Sequence, residues 1–124
     1  MAIFSFALQE DKNISLEEYM RLPLIAGISV LGGLKKIENL DYKFKWTNDI
    51  YIQDKKICGI LVEKIRDFFI IGIGVNVNND DFGYAQDKAT SLKNITGKFY
   101  STEDIIFCII NEFKKYFSEI GNMY

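Results

Sequence analysis

Asp67-Phe68-Phe69-Ile70-Ile71-Gly72-Ile73-Gly74-Val75-Asn76-Val77-Asn78 is the stretch on which the fold turns. Side chains alternate between the two faces of a strand, so Phe69, Ile71, Ile73, Val75 and Val77 share one face, a continuous apolar stripe for a core. Gly72, Gly74, Asn76 and Asn78 share the other. Two glycines followed by two amides make a flat surface ending in hydrogen-bonding groups, which suits a ligand lying against the backbone. From this segment alone, glycines that admit a close-packed helix and asparagines that begin a turn are the commoner reading. Gly72-Ile73-Gly74-Val75-Asn76 is not a dinucleotide fingerprint, because the third glycine is missing and no helix follows.

Upstream, the polar break Lys64-Ile65-Arg66 separates this strand from a hairpin. Residues 42–46 alternate, and Ile50-Tyr51-Ile52 and residues 57–62 flank the polar turn Gln53-Asp54-Lys55. Three successive strands predict an antiparallel meander. Strict alternation puts Lys56 on one face with Cys58, Ile60 and Val62, and Gly59 on the other with Ile57 and Leu61. Lys56 is then a cation at the mouth of a buried strand, although a lysine pair beside a turn is more often solvated decoration. Thr47-Asn48-Asp49 is likewise ordinary turn chemistry.

Earlier still, residues 2–9 have the apolar pattern of a strand buried on both faces, so the domain is expected to be N-terminally incomplete. Ser15 and Glu18 have the spacing of a capping box. Pro23 suits a helix start, and a main helix is predicted from about Pro23 to Lys36. On the far side, a polar loop from Asn79 to Lys98 leads to a helix start at Ser101-Thr102-Glu103-Asp104. Ile105, Ile106, Ile109, Ile110, Phe113 and Phe117 then recur at helical spacing and leave Glu112, Lys114 and Lys115 outside.

A chain of 124 residues, 48% hydrophobic and 26% charged, is sized and balanced for one folded domain. Its net charge of −2 argues against partners held by general attraction to phosphate, so neither DNA nor membrane is expected. The absence of histidine excludes a Ser-His-Asp triad and a HExxH zinc site, leaving proton and phosphate chemistry to Asp, Glu and Lys. Cys58 and Cys108 have no metal-site spacing and fit reduced structural thiols of a cytoplasmic protein. The apolar run Leu22 to Leu34 is too short to span a bilayer, and the first residues lack the basic region of a signal peptide.

Lys45-Trp46-Thr47-Asn48-Asp49-Ile50, then Lys56-Ile57-Cys58-Gly59-Ile60-Leu61-Val62-Glu63, then Gly72-Ile73-Gly74-Val75-Asn76-Val77-Asn78, in that order, resemble the biotin–protein ligase family. There a Lys-Trp-Pro-Asn-Asp segment precedes Lys-(apolar)-small-Gly-Ile-Leu-(apolar)-Glu and a Gly-x-Gly-(apolar)-Asn strand. Ala89-Thr90-Ser91-Leu92 is similar to the family's later Ala-Thr-Ser-Leu, and Thr47 stands where the family usually has proline.

The resemblance covers essentially the whole chain. It implies an α+β fold of the class II biotin/lipoate ligase type, a mixed or mainly antiparallel sheet with helices on one face. The chain would hold the later part of that catalytic domain, without the upstream Gly/Arg-rich biotin loop, a DNA-binding domain or the small C-terminal β domain. The implied reaction joins biotin to a lysine of a biotin carboxyl carrier protein through biotinyl-5'-adenylate, using ATP with Mg2+ and no dedicated metal cage. Lys56 and Asp49 would be catalytic. Lys56 would stabilise charge on carboxylate and phosphate, and Asp49 would receive or orient the incoming lysine. Ligand contacts would come from Lys56, Gly59, Leu61, Gly72, Gly74, Asn76, Trp46 and Asn48, with Asn76 on the nucleotide. The alternatives are a non-catalytic remnant that self-associates through its exposed sheet, as in a homodimer, and a lipoate ligase-like protein.

Overall fold

Gln53 and Asp54 both have positive φ, 51° and 62°, the pair of left-handed residues that closes a two-residue hairpin. They join β3 (Asp49–Ile52) to β4 (Lys55–Ile65), with β2 (Lys43–Lys45) before and β5 (Phe68–Val75) after. These strands form the expected meander. β1 (Ala2–Gln9) adds along β5, giving one five-stranded sheet in the order β1-β5-β4-β3-β2 with every pair antiparallel. The computed structural model describes residues 1–45 and 48–121, the last three by backbone alone.

The apolar stripe of β5 is the floor of the core: Phe69, Ile71, Ile73 and Val75 are buried together with Ile57, Cys58 and Ile60 of β4 and Ile50 and Ile52 of β3. Among the described residues, helices cover this face only. α1 (Leu16–Tyr19) starts at Ser15, whose Oγ accepts from Glu18 N at 3.3 Å, the forward half of the anticipated capping box. α2 (Leu22–Ile37) carries proline in its first turn and buries Leu22, Ile25, Ala26, Val30 and Leu34. α4 (Thr102–Gly121) packs beside it. The two helices meet at Gly33, where an added Cβ would lie 2.9 Å from the backbone N of Ile109, so this crossing requires glycine.

Three expectations change. β1 is not buried on both faces: Phe4, Phe6 and Leu8 turn inward, while Ile3, Ser5 and Ala7 face out, Ile3 with 73% of its surface exposed. As the outermost strand of a sheet covered on one side, it has no second layer among the described residues. Glu112 is not outside either. It lies seven positions after Ile105 and three after Ile109, hence on the same helical face, and is only 4% exposed. Its carboxylate is paired with Lys36 of α2. Finally, the polar segment after β5 is not all loop. A short 3-10 turn (Gly83–Ala85) is followed by α3 (Leu92–Thr96), which starts on Ser91 Oγ and stops at left-handed Gly97, φ 77°.

Candidate active site

In β4 the pairing with β3 runs Ile50 to Cys58 and then Tyr51 to Lys56, so Ile57 is the extra residue of a β-bulge. Ile57 and Cys58 therefore both turn into the core. Alternation restarts across this irregularity, and Lys56 emerges on the outer face with Gly59 and Leu61, not with Cys58 and Ile60 as strict period-2 reading gives. The ammonium lies back over Gly59, where an added Cβ would sit 3.2 Å from Lys56 Nζ.

Asp49 is the cross-strand partner of Gly59, and its Oδ1 is 3.1 Å from Lys56 Nζ. The two side chains are 35% and 44% exposed, so the pair adds at most about 1 kcal/mol to stability. Its consequence is positional: Asp49 directs the cation across the glycine. Lys55 stays exposed at the turn. Below them the Cys58 thiol is pushed up to about 12 by burial, with Lys56 pulling weakly the other way, so it is no nucleophile at neutral pH.

The glycines of β5 leave the outer face open. Gly74 would meet nothing within 4 Å if given a Cβ, and Gly72 would meet only the Leu61 carbonyl, at 3.8 Å. A shallow depression of about 540 Å³ runs over them, walled by Ile3 and Ser5 of β1, Asp49, Lys56 and Leu61. A second, about 470 Å³, lies where β4 and β5 meet the segment after β5, lined by Asn76, Asn79, Asp81, Phe82, Ala85 and Ala89. Lys56, Gly59 and Gly74 belong to both. A third hollow, about 290 Å³ beside Lys43, Lys45, Tyr51 and Asp54 on the β2–β3 edge, contains none of the anticipated residues that are described.

Of those residues, Lys56, Asp49, Gly59, Leu61, Gly72 and Gly74 come together on the outer face, and Asn76 sits at its end. Asn48 lines neither depression, and its carbonyl accepts from Ile60 N at 2.9 Å. Trp46 lies outside the described residues. The second amide of the strand is committed elsewhere: Asn78 donates to the Tyr100 carbonyl at 2.8 Å and accepts from Tyr100 N at 3.0 Å, which ties β5 to the start of α4. Its place is taken by Asn79, whose Nδ2 donates to Asn76 Oδ1 at 3.2 Å and whose Oδ1 is buried without a partner among the described residues. Asn79, Phe82 and Ala85 carried no local signal, because only the fold-back of their segment brings them to Lys56.

A family model described as the Biotin/lipoate A/B protein ligase family matches residues 1–78. Among curated proteins, the chain is 37% identical over 112 residues to the bifunctional ligase/repressor BirA of Bacillus spizizenii, covering 83% of this chain and 34% of that protein. Among solved structures, it is similar to the biotin protein ligase from Aquifex aeolicus in complex with biotin and ATP, at 34% identity and TM-score 0.79 over 91% of this chain and 48% of that one. It is also similar to the biotin protein ligase from Leishmania major in complex with biotinyl-5-AMP, at 25% identity and TM-score 0.81 over 94% and 54%. The chain thus spans about a third of that curated relative and about half of the structures.

Proposed function

We propose, from the premise that the chain belongs to the biotin/lipoate A/B protein ligase family, that it supplies the later part of an active site for ATP-dependent ligation of biotin to a carrier-protein lysine. The observation that carries this reading is the position of Lys56, over Gly59 and common to both depressions. Biotin lies over Gly72, Gly74 and Leu61, and the nucleotide lies beside Asn76, Asn79 and Phe82. The biotin carboxylate and the α-phosphate then meet at the Lys56 ammonium.

In the first step a carboxylate oxygen attacks the α-phosphorus, the bond to the bridging oxygen breaks, and pyrophosphate leaves with the electron pair. Negative charge moves from the carboxylate toward the phosphates, and a fixed cation at that point lowers the barrier. In the second step the carrier lysine must lose a proton to attack the mixed anhydride, releasing AMP. Asp49 faces that position and can orient the amine or take its proton. Mg2+ would arrive on the ATP phosphates.

The outer face exposes Ile3, Leu61, Ile65 and Phe68, more apolar surface than a solvated sheet normally presents. We read it as the surface on which polypeptide bearing a Gly/Arg-rich biotin loop packs. The other partner is the biotin carboxyl carrier protein, and a homodimer would form by strand pairing along an open sheet edge. Both substrates suit a cytoplasmic protein. No helix among the described residues is long and apolar enough to cross a membrane. The test is biotin-dependent pyrophosphate exchange and transfer of labelled biotin to a carrier domain, with and without a separately supplied loop-bearing segment. We expect transfer only with the segment. Robust transfer by the chain alone would overturn the division of the site, and no exchange in either condition would overturn the reading itself.

A further inference from the structure

The bulge that turns Lys56 outward leaves it paired with Tyr51 of β3 but beyond the paired stretch of β5 on its other edge. Pairing of β4 with β5 begins only at Cys58, and the ladder to β3 is interrupted at Ile57. The backbone of Lys56 is nevertheless held on both sides: its N–H donates to the Lys88 carbonyl at 2.8 Å, and its carbonyl accepts from Thr90 N at 3.0 Å. Ala89 between them forms a parallel bridge to Lys56. The clamp is itself anchored. Thr90 and Ser91 are buried, and Leu92 N and Lys93 N donate to the carbonyls of Asn76 and Val77 at 3.2 and 2.9 Å. Ala89 also lines the depression that holds Asn76, Asn79 and Phe82.

We propose that Lys88–Thr90 is a positioning element for Lys56, supplying backbone bonds on the edge where pairing with β5 has ended and joining the lysine's backbone to the wall of the nucleotide side. The proposal rests on Lys56 being the cation of adenylation. A lysine side chain is flexible, and its exposed pair with Asp49 is a weak restraint, so the placement of Nζ depends on a fixed Cα. Displacing a catalytic group by about 1 Å can cost roughly a hundredfold in rate.

The whole chain is prepared with an ester in place of the Ala89–Thr90 peptide bond, which removes the Thr90 N–H with little change of shape, alongside Thr90→Pro and the N–H-retaining control Thr90→Val. The first readout is limiting acylation of amines by an activated ester, followed by mass spectrometry. We expect labelling of Lys56 relative to Lys55 to rise at least about threefold in the ester chain and to stay unchanged in Thr90→Val. This needs neither biotin nor ATP, so it decides the clamp even where the enzymatic reading fails. The second is biotin-dependent pyrophosphate exchange with the loop-bearing segment. The ester should lower kcat about tenfold, and that loss should vanish in a Lys56→Ala background, whereas a merely structural role would persist there. If Thr90→Pro does not fold, the ester chain carries the decision. Unchanged Lys56 labelling in the ester chain, or a loss that survives Lys56→Ala, overturns the proposal. Absence of exchange in the unaltered chain instead overturns the ligase reading.

Discussion

Substituting Gly59 by alanine separates the fold of this chain from its chemistry. The added Cβ would lie 3.2 Å from Lys56 Nζ, 3.3 Å from Lys56 Cε and 3.8 Å from Asp49 Oδ1. The two close contacts are with the end of a flexible side chain, so the lysine yields by a few tenths of an ångström or more while the backbone stays. Replacing glycine within a strand restricts the unfolded chain and favours folding by about 0.5–1 kcal/mol. Weakening the exposed Lys56–Asp49 pair removes at most about 1 kcal/mol. These terms nearly cancel, and we expect the urea midpoint to change little. Activity should not be spared. Deleting a preorganised donor costs about 3 kcal/mol, roughly a hundredfold, and displacing it by less than its full reach should cost about tenfold. Urea unfolding and biotin-dependent pyrophosphate exchange are measured on the same Gly59→Ala protein, with the loop-bearing segment present for exchange. A stable variant with undiminished exchange would refute the claim that the cation must lie over Gly59, and a variant that unfolds would refute the claim that only the lysine gives way.

Lys56→Ala should lower pyrophosphate exchange about a hundredfold while Lys55→Ala stays near wild type, and equal effects would mark the two lysines as a solvated turn. Asp49→Asn should slow transfer to the carrier lysine more than adenylate formation, as single-turnover kinetics would resolve; equal slowing would remove its role toward the incoming amine. Gly74→Val fills open space on the outer face, so the variant should fold normally and lose ligand in a calorimetric titration with biotin and ATP. Normal binding would show that ligand does not lie there. The Tyr100 hydroxyl donates to Glu38 at 2.7 Å and holds that carboxyl below the usual carboxylate range. A depressed carboxylate stabilises the fold above its unfolded value, 4.5, and loses that contribution as pH falls through the folded one. Melting curves of Tyr100→Phe should accordingly diverge from wild type above that window and converge below it; a difference that grows in acid would refute this.

The faces of β5 were legible because an antiparallel strand paired on both edges keeps its period, and Phe69 to Val75 alternate without interruption. α2 and the turn at Gln53-Asp54 were legible through proline position and polar breaks, which act locally. The face of Lys56 was not. A bulge is a property of two strands, and nothing in residues 55–62 alone announces that Ile57 will have no partner on β3. Burial of Glu112 escaped notice for a related reason: charge suggested solvent, while its helical position, read with Ile105 and Ile109, already pointed inward. α3 was missed although both of its caps, Ser91 and Gly97, are present, because a helix this short has too few apolar positions to show a period. The second amide could not be placed from the strand's period, since Asn78 is claimed by the distant backbone of Tyr100.

Cys58 sits one backbone layer behind the Lys56 ammonium, shut into the core and with its thiol raised to about 12. In the folded chain it is neither accessible nor ionised, and alkylating reagents need both conditions. Cys108, which is only partly buried, is the contrasting case on the helical layer. The rate at which Cys58 is consumed therefore counts openings of the fold that uncover this buried sulfur. The protein carries its own clock for the opening of the scaffold beneath Lys56.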